Sequence, residues 1–162
     1  MRPAFLFLAA PLSLLALSAP AGAAVVGDVA ACAEGAPALR VHLAGFREAK
    51  GQVRIAVYRQ SGWLQKGGSL RKMRVPVTGP AMDVCVAVPG AGAYAVAVHH
   101  DVDADKEKDR TDGAGFSRNP RLSLLGRPSF VGSAVQVGNG VRPVAIQLMY
   151  LRGLTIGPAR GS

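Results

Sequence analysis

Apolar and polar side chains alternate along most of this chain, and almost no segment has the spacing of a helix. Alternation places successive side chains on opposite faces of a strand, so each such segment offers one apolar face to a core. Glycine and proline turn signals separate the segments. The sequence is therefore predicted to be all-β, with strands near residues 39–43, 52–59, 70–77, 82–88, 94–99, 130–137 and 144–151.

About seven short strands with regular turns favour a single antiparallel β-sandwich, and a small closed barrel is the alternative. The first two predicted strands, 39–43 and 52–59, are expected to form an antiparallel hairpin. Residues 100–128 show no sustained alternation and are predicted to form one long loop. Long loops inside compact domains are commonly functional or stabilised by a ligand.

The beginning of the chain has the pattern of a secretory signal peptide over residues 1–23, with Arg2, an apolar stretch and a small-residue cleavage site. No later stretch is long and apolar enough to span a bilayer, so no transmembrane segment is predicted in the mature chain. The expected location is the periplasm or the extracellular space. The sandwich is predicted over 39–151, and the glycine- and proline-rich residues 152–162 are predicted to be a flexible tail.

The chain has two cysteines, Cys32 and Cys85. In an oxidising compartment, an even pair in a small domain is most simply a disulfide. Such a bond would tether the N-terminal segment 24–38 to the sheet. The alternative is a pair of free thiols, with Cys85 packed as a small core residue.

Acidic side chains are concentrated in one short stretch, although the whole chain carries a formal charge of +9. Crowded carboxylates repel one another unless a cation lies among them, and Ca²⁺ takes six to eight oxygens from flexible acidic loops. A Ca²⁺ site is therefore predicted here, and a solvated, salt-bridged loop is the alternative. The predicted ligands are Asp101, Asp103, Asp105, Glu107, Asp109 and Asp112.

The predicted Ca²⁺ site has features that weaken binding. Counting from Asp101, Lys106 occupies the sixth position, where calcium loops of the helix-loop-helix type have glycine. Lys106, Lys108 and Arg110 also oppose a cation. The expected dissociation constant is in the weak, extracellular range, about 10⁻⁴ to 10⁻³ M.

A possible secondary site lies around the same loop. His99 and His100 end a predicted strand, where one side chain faces inward and the other outward, and Ser117 and Asn119 follow in the motif GFSRN. Imidazoles beside carboxylates can act as general bases or metal ligands, so a metal- or histidine-dependent hydrolase is one alternative function. No GxSxG or HExxH motif occurs, and the protein is predicted not to be an enzyme.

The basic excess is expected mainly to be a solvated face; the alternative is binding of anionic partners, which outside the cytoplasm would be phospholipid head groups or acidic polysaccharide. The arginines lack the aromatic interleaving and the docking motif of a nucleic-acid module, so no nucleic-acid partner is predicted. The expected function is a non-enzymatic binding or structural module of the cell envelope. The main alternative is a carrier that binds an anionic envelope glycan or lipid through a basic face.

Several motifs, in order, resemble a bacterial family of exported proteins known as domain of unknown function 2141. The motifs are GQVRIAVY (51–58), PGAGAYAVAVHHD (89–101), GFSRN (115–119) and GRPSF (126–130). The resemblance covers residues 39–151. The PGxYxVxV element is also similar to a strand of prealbumin-like and adhesin B-type modules. That similarity implies an immunoglobulin-like or prealbumin-like sandwich with a binding or structural role.

The resemblance also bears on the acidic loop. In the family, the strand is usually followed by a calcium-type loop of the form DxNxNGKxD. Asp103 and Asp105 lie at its asparagine positions, Lys106 replaces its glycine and Asp109 matches its last acid. The resemblance thus implies a calcium-type loop here, in which the glycine is missing.

Overall fold

The structure, a computed structural model, describes residues 24–159, so the predicted signal peptide (1–23) lies outside the described residues. Within this range the chain forms eleven strands, two short α-helices and one 3₁₀ turn. The helices are α1 (Val29–Ala33) and α2 (Phe130–Ser133), and the 3₁₀ turn is Gln60–Gly62. The strands are β1 (Val25–Gly27), β2 (Ala38–Ala44), β3 (Gln52–Tyr58), β4 (Arg71–Pro76), β5 (Ala81–Ala87), β6 (Gly92–Asp101), β7 (Gly113–Phe116), β8 (Val135–Val137), β9 (Val141–Gln147), β10 (Met149–Arg152) and β11 (Thr155–Pro158).

The strands form two sheets. The smaller sheet has the order β1-β5-β2-β9, and the larger has the order β11-β10-β7-β6-β3-β4, with β8 also paired to β6. The prediction of an all-β fold is confirmed. The details differ from a purely antiparallel sandwich of about seven strands, because there are eleven strands and both β1–β5 and β2–β9 are parallel pairs.

One hydrophobic core includes side chains from both sheets. In β2 the inward residues Leu39, Val41 and Leu43 are fully buried, while Arg40 and His42 are exposed. The same alternation continues in β3 and β6, whose inward side chains meet those of β2, β5 and β9. Burial of apolar area in this core is the main term that stabilises such a fold. The largest members of the core are Tyr94, Tyr150, Leu39, Leu43, Ile55, Ile146 and Leu148.

The predicted hairpin of the first two long strands is wrong. β2 pairs with β5 and β9 in the smaller sheet, whereas β3 pairs with β4 and β6 in the larger sheet. The connection 45–51 crosses from one sheet to the other. Seven residues can span the roughly 10 Å between packed sheets, so the length of the connection did not require a hairpin.

Two late segments also differ from the prediction. Residues 130–137, expected to be one strand, form α2 followed by β8, because the Ser129 hydroxyl caps the helix by accepting from Gly132 N. Residues 144–151, expected to be a second strand, are divided between β9 in one sheet and β10 in the other. Within the segment expected to be a flexible tail, β11 pairs with β10 as a hairpin.

The disulfide prediction agrees with the structure: Cys32 of α1 is bonded to Cys85 of β5, with a Cα–Cα distance of 6.1 Å. The N-terminal segment is held by more than this bond. β1 adds a parallel strand to β5, and the Asp28 carboxylate accepts hydrogen bonds from Ala87 N at 2.9 Å and from the Arg71 guanidinium at 2.7 Å. The N-terminal segment is therefore joined to the smaller sheet through β1 as well as through the disulfide.

Candidate functional site

The acidic loop begins where β6 ends, at Asp101, and leads into β7 at Gly113. Gly51 fixes its starting point, because it has a φ of +74° and lies directly against the backbone of Asp101 and Val102. A Cβ at this position would collide with both carbonyl oxygens, so only glycine fits. The first acidic residue is thus packed against the connection that joins the two sheets.

Three carboxylates of the loop converge. Asp101, Asp103 and Asp105 each offer one oxygen, and these oxygens lie within 4.8 Å of one another. Asp101 is only 1 % exposed, whereas Asp103 and Asp105 are exposed. This acidic triad is a group that could hold a metal ion.

The buried member of the triad lacks a full set of partners. Asp101 Oδ2 accepts a hydrogen bond from Lys106 N at 3.0 Å and a longer one from Gln52 Nε2 at 3.4 Å. Its other oxygen, Oδ1, has no hydrogen-bond partner among the described residues. A buried carboxylate oxygen without a donor is unfavourable, and a bound cation would compensate it.

The backbone of the loop curls around the triad. Asp105 Oδ1 accepts from Glu107 N at 2.7 Å, and this is the contact that Glu107 makes to the cluster. Lys106 has a φ of +70°, in the left-handed region that glycine adopts without strain. It therefore occupies the conformation expected at the glycine position of a calcium-type loop, at a cost of about 1–2 kcal/mol.

The other two predicted ligands lie in a separate network. Asp112 Oδ2 contacts His99 Nε2 at 2.7 Å, and Asp112 Oδ1 accepts from Val102 N at 3.2 Å. Asp109 Oδ1 accepts from both the hydroxyl and the backbone N–H of Thr111 at 2.7 Å. These two hydrogen bonds lower the pKa of Asp109. The predicted set of six ligands is thus divided, and the structure brings three of its members together.

His100 faces the core and is fully buried. Its Nε2 donates to Lys50 O at 2.9 Å, so its Nδ1 is the acceptor for the Tyr150 hydroxyl at 2.6 Å. Burial lowers the pKa of His100, which favours this neutral form. Both ring nitrogens are therefore engaged in structural hydrogen bonds.

Ser117 and Asn119 also make structural contacts. Ser117 Oγ is buried, accepts from Val96 N at 2.9 Å and donates to the Ser133 carbonyl, so it joins β6 to α2. Asn119 Oδ1 accepts from Gln147 N at 2.8 Å and holds the following loop on β9. Of the four residues of the predicted secondary site, His99 alone lines the cleft described next.

The sequence reasoning missed a cleft of about 610 Å³ on the outer face of the larger sheet. Its floor consists of outward side chains of β3, β6 and β7, including Ala56, Ala97 and Ala114. Its walls are loop residues 64–69, 108–112 and 122–128. The sequence signal for it was weak, because alanines at outward strand positions reveal a cavity only when the strand register is known.

Positive side chains dominate this cleft. Five cationic side chains and two carboxylates line it, and in the described part of the chain none of the five forms an ion pair. We refer to it as the basic cleft. Its cations are Arg54, Lys66, Lys72, Lys108 and Arg127.

An aromatic cluster packs between the loops around the basic cleft. Trp63 packs edge-on against Tyr58, Phe116 and Phe130, with ring centroids 5.4 to 6.0 Å apart. Its indole N–H donates to Pro128 O at 2.8 Å, which ties two of the loops together. Two of the loops that line the cleft are therefore held to each other by ring packing and a hydrogen bond.

None of the helices within residues 24–159 has the length and apolar character needed to cross a membrane. No curated protein and no solved structure matches the chain. One family model, described as an uncharacterized protein conserved in bacteria (DUF2141), matches residues 41–145. The match runs from β2 to β9 and contains the acidic triad and every residue that lines the basic cleft except Ile156. Because it covers well over half of the 162 residues, the chain belongs to the DUF2141 family of bacterial proteins.

Proposed function

We propose that this protein is an exported, non-enzymatic binding or structural module of the bacterial cell envelope whose acidic triad binds Ca²⁺. The observation that carries the proposal is the convergence of Asp101, Asp103 and Asp105, with Asp101 buried and its Oδ1 unpartnered. Acidic side chains often cluster without an ion. A buried carboxylate oxygen without a donor is rarer and points to a missing positive partner.

The chemistry of the triad favours Ca²⁺ over transition metals. All three donors are hard carboxylate oxygens, and His100, the nearest imidazole in sequence, has both nitrogens engaged elsewhere. Three protein ligands leave several coordination positions for water or backbone carbonyls. The affinity we expect is accordingly weak, about 10⁻⁴ to 10⁻³ M, which suits an exported protein exposed to millimolar Ca²⁺.

The ion would have a structural role. Lys108, Asp109 and Asp112 follow the triad in the same loop and line the basic cleft. A cation that fixes Asp103 and Asp105 against Asp101 would order the loop and so shape one wall of the cleft. The Cys32–Cys85 disulfide supports export, because such bonds persist in oxidising compartments.

The test is thermal unfolding with and without Ca²⁺. With a dissociation constant of about 1 mM, 10 mM Ca²⁺ should stabilise the wild-type protein by about 1.4 kcal/mol. Asp103→Asn should abolish this shift. Asp109→Asn is the matched control, since it removes one exposed carboxylate of the same loop outside the triad, and it should keep most of the shift. An equal response of both variants, or no response of the wild type, would contradict the proposal.

A second candidate function is carriage of an anionic envelope glycan or lipid, and the basic cleft favours it. The basic residues as a whole do not form one face, because Arg40 lies in the smaller sheet, where it pairs with Asp83 at 3.1 Å, and Arg54 lies in the larger. The cleft nevertheless gathers five cations around one volume. A serine hydrolase is not supported, since Ser117 is buried and bonded to backbone groups.

A further inference from the structure

The floor of the basic cleft is made of small side chains because of the strand register. Ala56 of β3 lies opposite Ala97 of β6, which in turn lies opposite Phe116 of β7. The adjacent row places Arg54 opposite His99. The methyl groups of Ala56 and Ala97 fill less space than long side chains would at the same positions, and a cavity is left above them. The resulting volume of about 610 Å³ falls in the range of small-molecule sites, about 300–1,000 Å³.

The cations reach this volume from separate parts of the fold. Arg54 and Lys72 come from neighbouring strands of the sheet, while the other three come from the three loops that wall the cleft. Across the described residues, none of the five side chains makes a hydrogen bond or an ion pair. Like charges held around one volume repel, so the arrangement becomes favourable when an anion lies among them.

The carboxylates of the cleft do not provide that anion. Asp112 is bonded to His99 at 2.7 Å, and Asp109 is bonded to Thr111 at 2.7 Å. Partial burial lowers the pKa of Lys108, the neighbouring Arg54 and Arg127 lower it further, and Asp112 offsets part of this effect. Within residues 24–159 the five cations thus form no ion pair and can contact a ligand.

We infer that the basic cleft binds a phosphate ester, either of a small sugar or of a lipid head group. This inference rests on the second candidate function and specifies its ligand. A phosphate group is tetrahedral and accepts hydrogen bonds from several directions, which suits three lysines and two arginines on different walls. A flat carboxylate is instead matched by a single arginine fork. The methyl floor and the nearby rings of Tyr58 and Phe116 offer an apolar surface to the rest of the ligand.

The experiment measures binding of three probes to the full mature protein, once in EDTA and once in about 1 mM Ca²⁺, so that an effect of Ca²⁺ on the loop wall is separated from binding to the cleft. The probes are glucose 6-phosphate, galacturonate and phosphatidylcholine vesicles that contain phosphatidylglycerol. The variants are Arg54→Met, which removes a cleft cation, and Ala97→Leu, which fills the floor without changing any charge. Arg142→Met is the matched control, because it removes an exposed arginine from β9 of the smaller sheet. Circular dichroism verifies the fold of each variant.

The expected result is saturable binding of glucose 6-phosphate, of the vesicles or of both, weakened at least about tenfold by Arg54→Met and by Ala97→Leu. Arg142→Met should change it by less than about twofold. The phosphate probe that binds more tightly identifies the source of the phosphate. Binding of galacturonate alone would overturn the phosphate assignment but keep the anion carrier. Binding of no probe in either condition, or equal weakening by Arg54→Met and Arg142→Met, would overturn both.

Discussion

The two halves of the acidic loop use the same residue type at similar spacing but satisfy their carboxylates differently. In the second half, Asp109 and Asp112 accept hydrogen bonds from Thr111, from Val102 N and from His99. In the first half, Asp103 and Asp105 turn toward the buried Asp101, whose Oδ1 has no partner among the described residues. The comparison shows that neighbouring acidic residues form separate networks, depending on which hydrogen-bond donors lie within reach of each carboxylate. Where a buried carboxylate oxygen has no donor, as at Asp101 Oδ1, an ion is the natural partner.

The largest effect is expected when Asp112 is removed, because its carboxylate binds both His99 and Val102 N. Asp112→Ala would leave His99 and Val102 N without their partner in a largely buried position, so we expect a loss of about 2–3 kcal/mol in the free energy of unfolding. The loss should be the same with and without Ca²⁺. Urea denaturation measures it.

The matched control is Asp103→Ala, which removes an exposed acid from the first half of the loop. In EDTA its cost should be within about 0.5 kcal/mol of zero. If both alanine variants cost the same in EDTA, the two halves would not differ as the structure indicates.

A smaller effect is expected at Lys106, whose φ of +70° favours glycine. Lys106→Gly and Lys106→Ala remove the same charge, but alanine stays strained in the left-handed conformation. The glycine variant should therefore be more stable than the alanine variant by about 1 kcal/mol. Chemical denaturation of the two variants in parallel provides the measurement, and a more stable alanine variant would show that the turn is not held in this conformation.

The smallest effect concerns the acid titration of Asp109. The Thr111 hydroxyl and backbone N–H lower the pKa of Asp109 below its ordinary value of 3.8. The stabilisation linked to this shift is present above pH 3.8 and is lost as the pH falls through that value toward the lower folded pKa. Thr111→Val removes the hydroxyl, so the pKa should rise toward 3.8. Carbon NMR titration of the Asp109 carboxyl group measures both values, and an unchanged pKa would exclude the hydroxyl as the cause.

Local sequence patterns predicted the presence of most strands but not their partners. Alternation in β2 and β3 reports which side chains face the core, and it carries no information on which sheet a strand joins. The two strands were therefore assigned to one hairpin, although each lies between other strands. The short strands β1, β7 and β11 were missed because three or four residues show too little alternation, and these strands depend on pairing with a neighbour.

The candidate site shows the same difference: local groupings could be predicted from the sequence, and contacts between distant segments could not. The spacing of Asp101, Asp103 and Asp105 was visible in the sequence because these residues interact within one turn. The contact between His99 and Asp112 joins a strand to the far end of the loop, and no local pattern encodes it. The basic cleft was missed because its floor depends on the register of three strands.

The most direct test of the account follows backbone amide signals by NMR while Ca²⁺ is added. We predict saturable shifts at Asp103, Asp105 and Lys106 with a midpoint of about 0.1–1 mM, and much smaller shifts at Thr111 and Asp112. Absence of saturable shifts up to about 10 mM, or equal shifts in both halves of the loop, would contradict a cation held by the acidic triad.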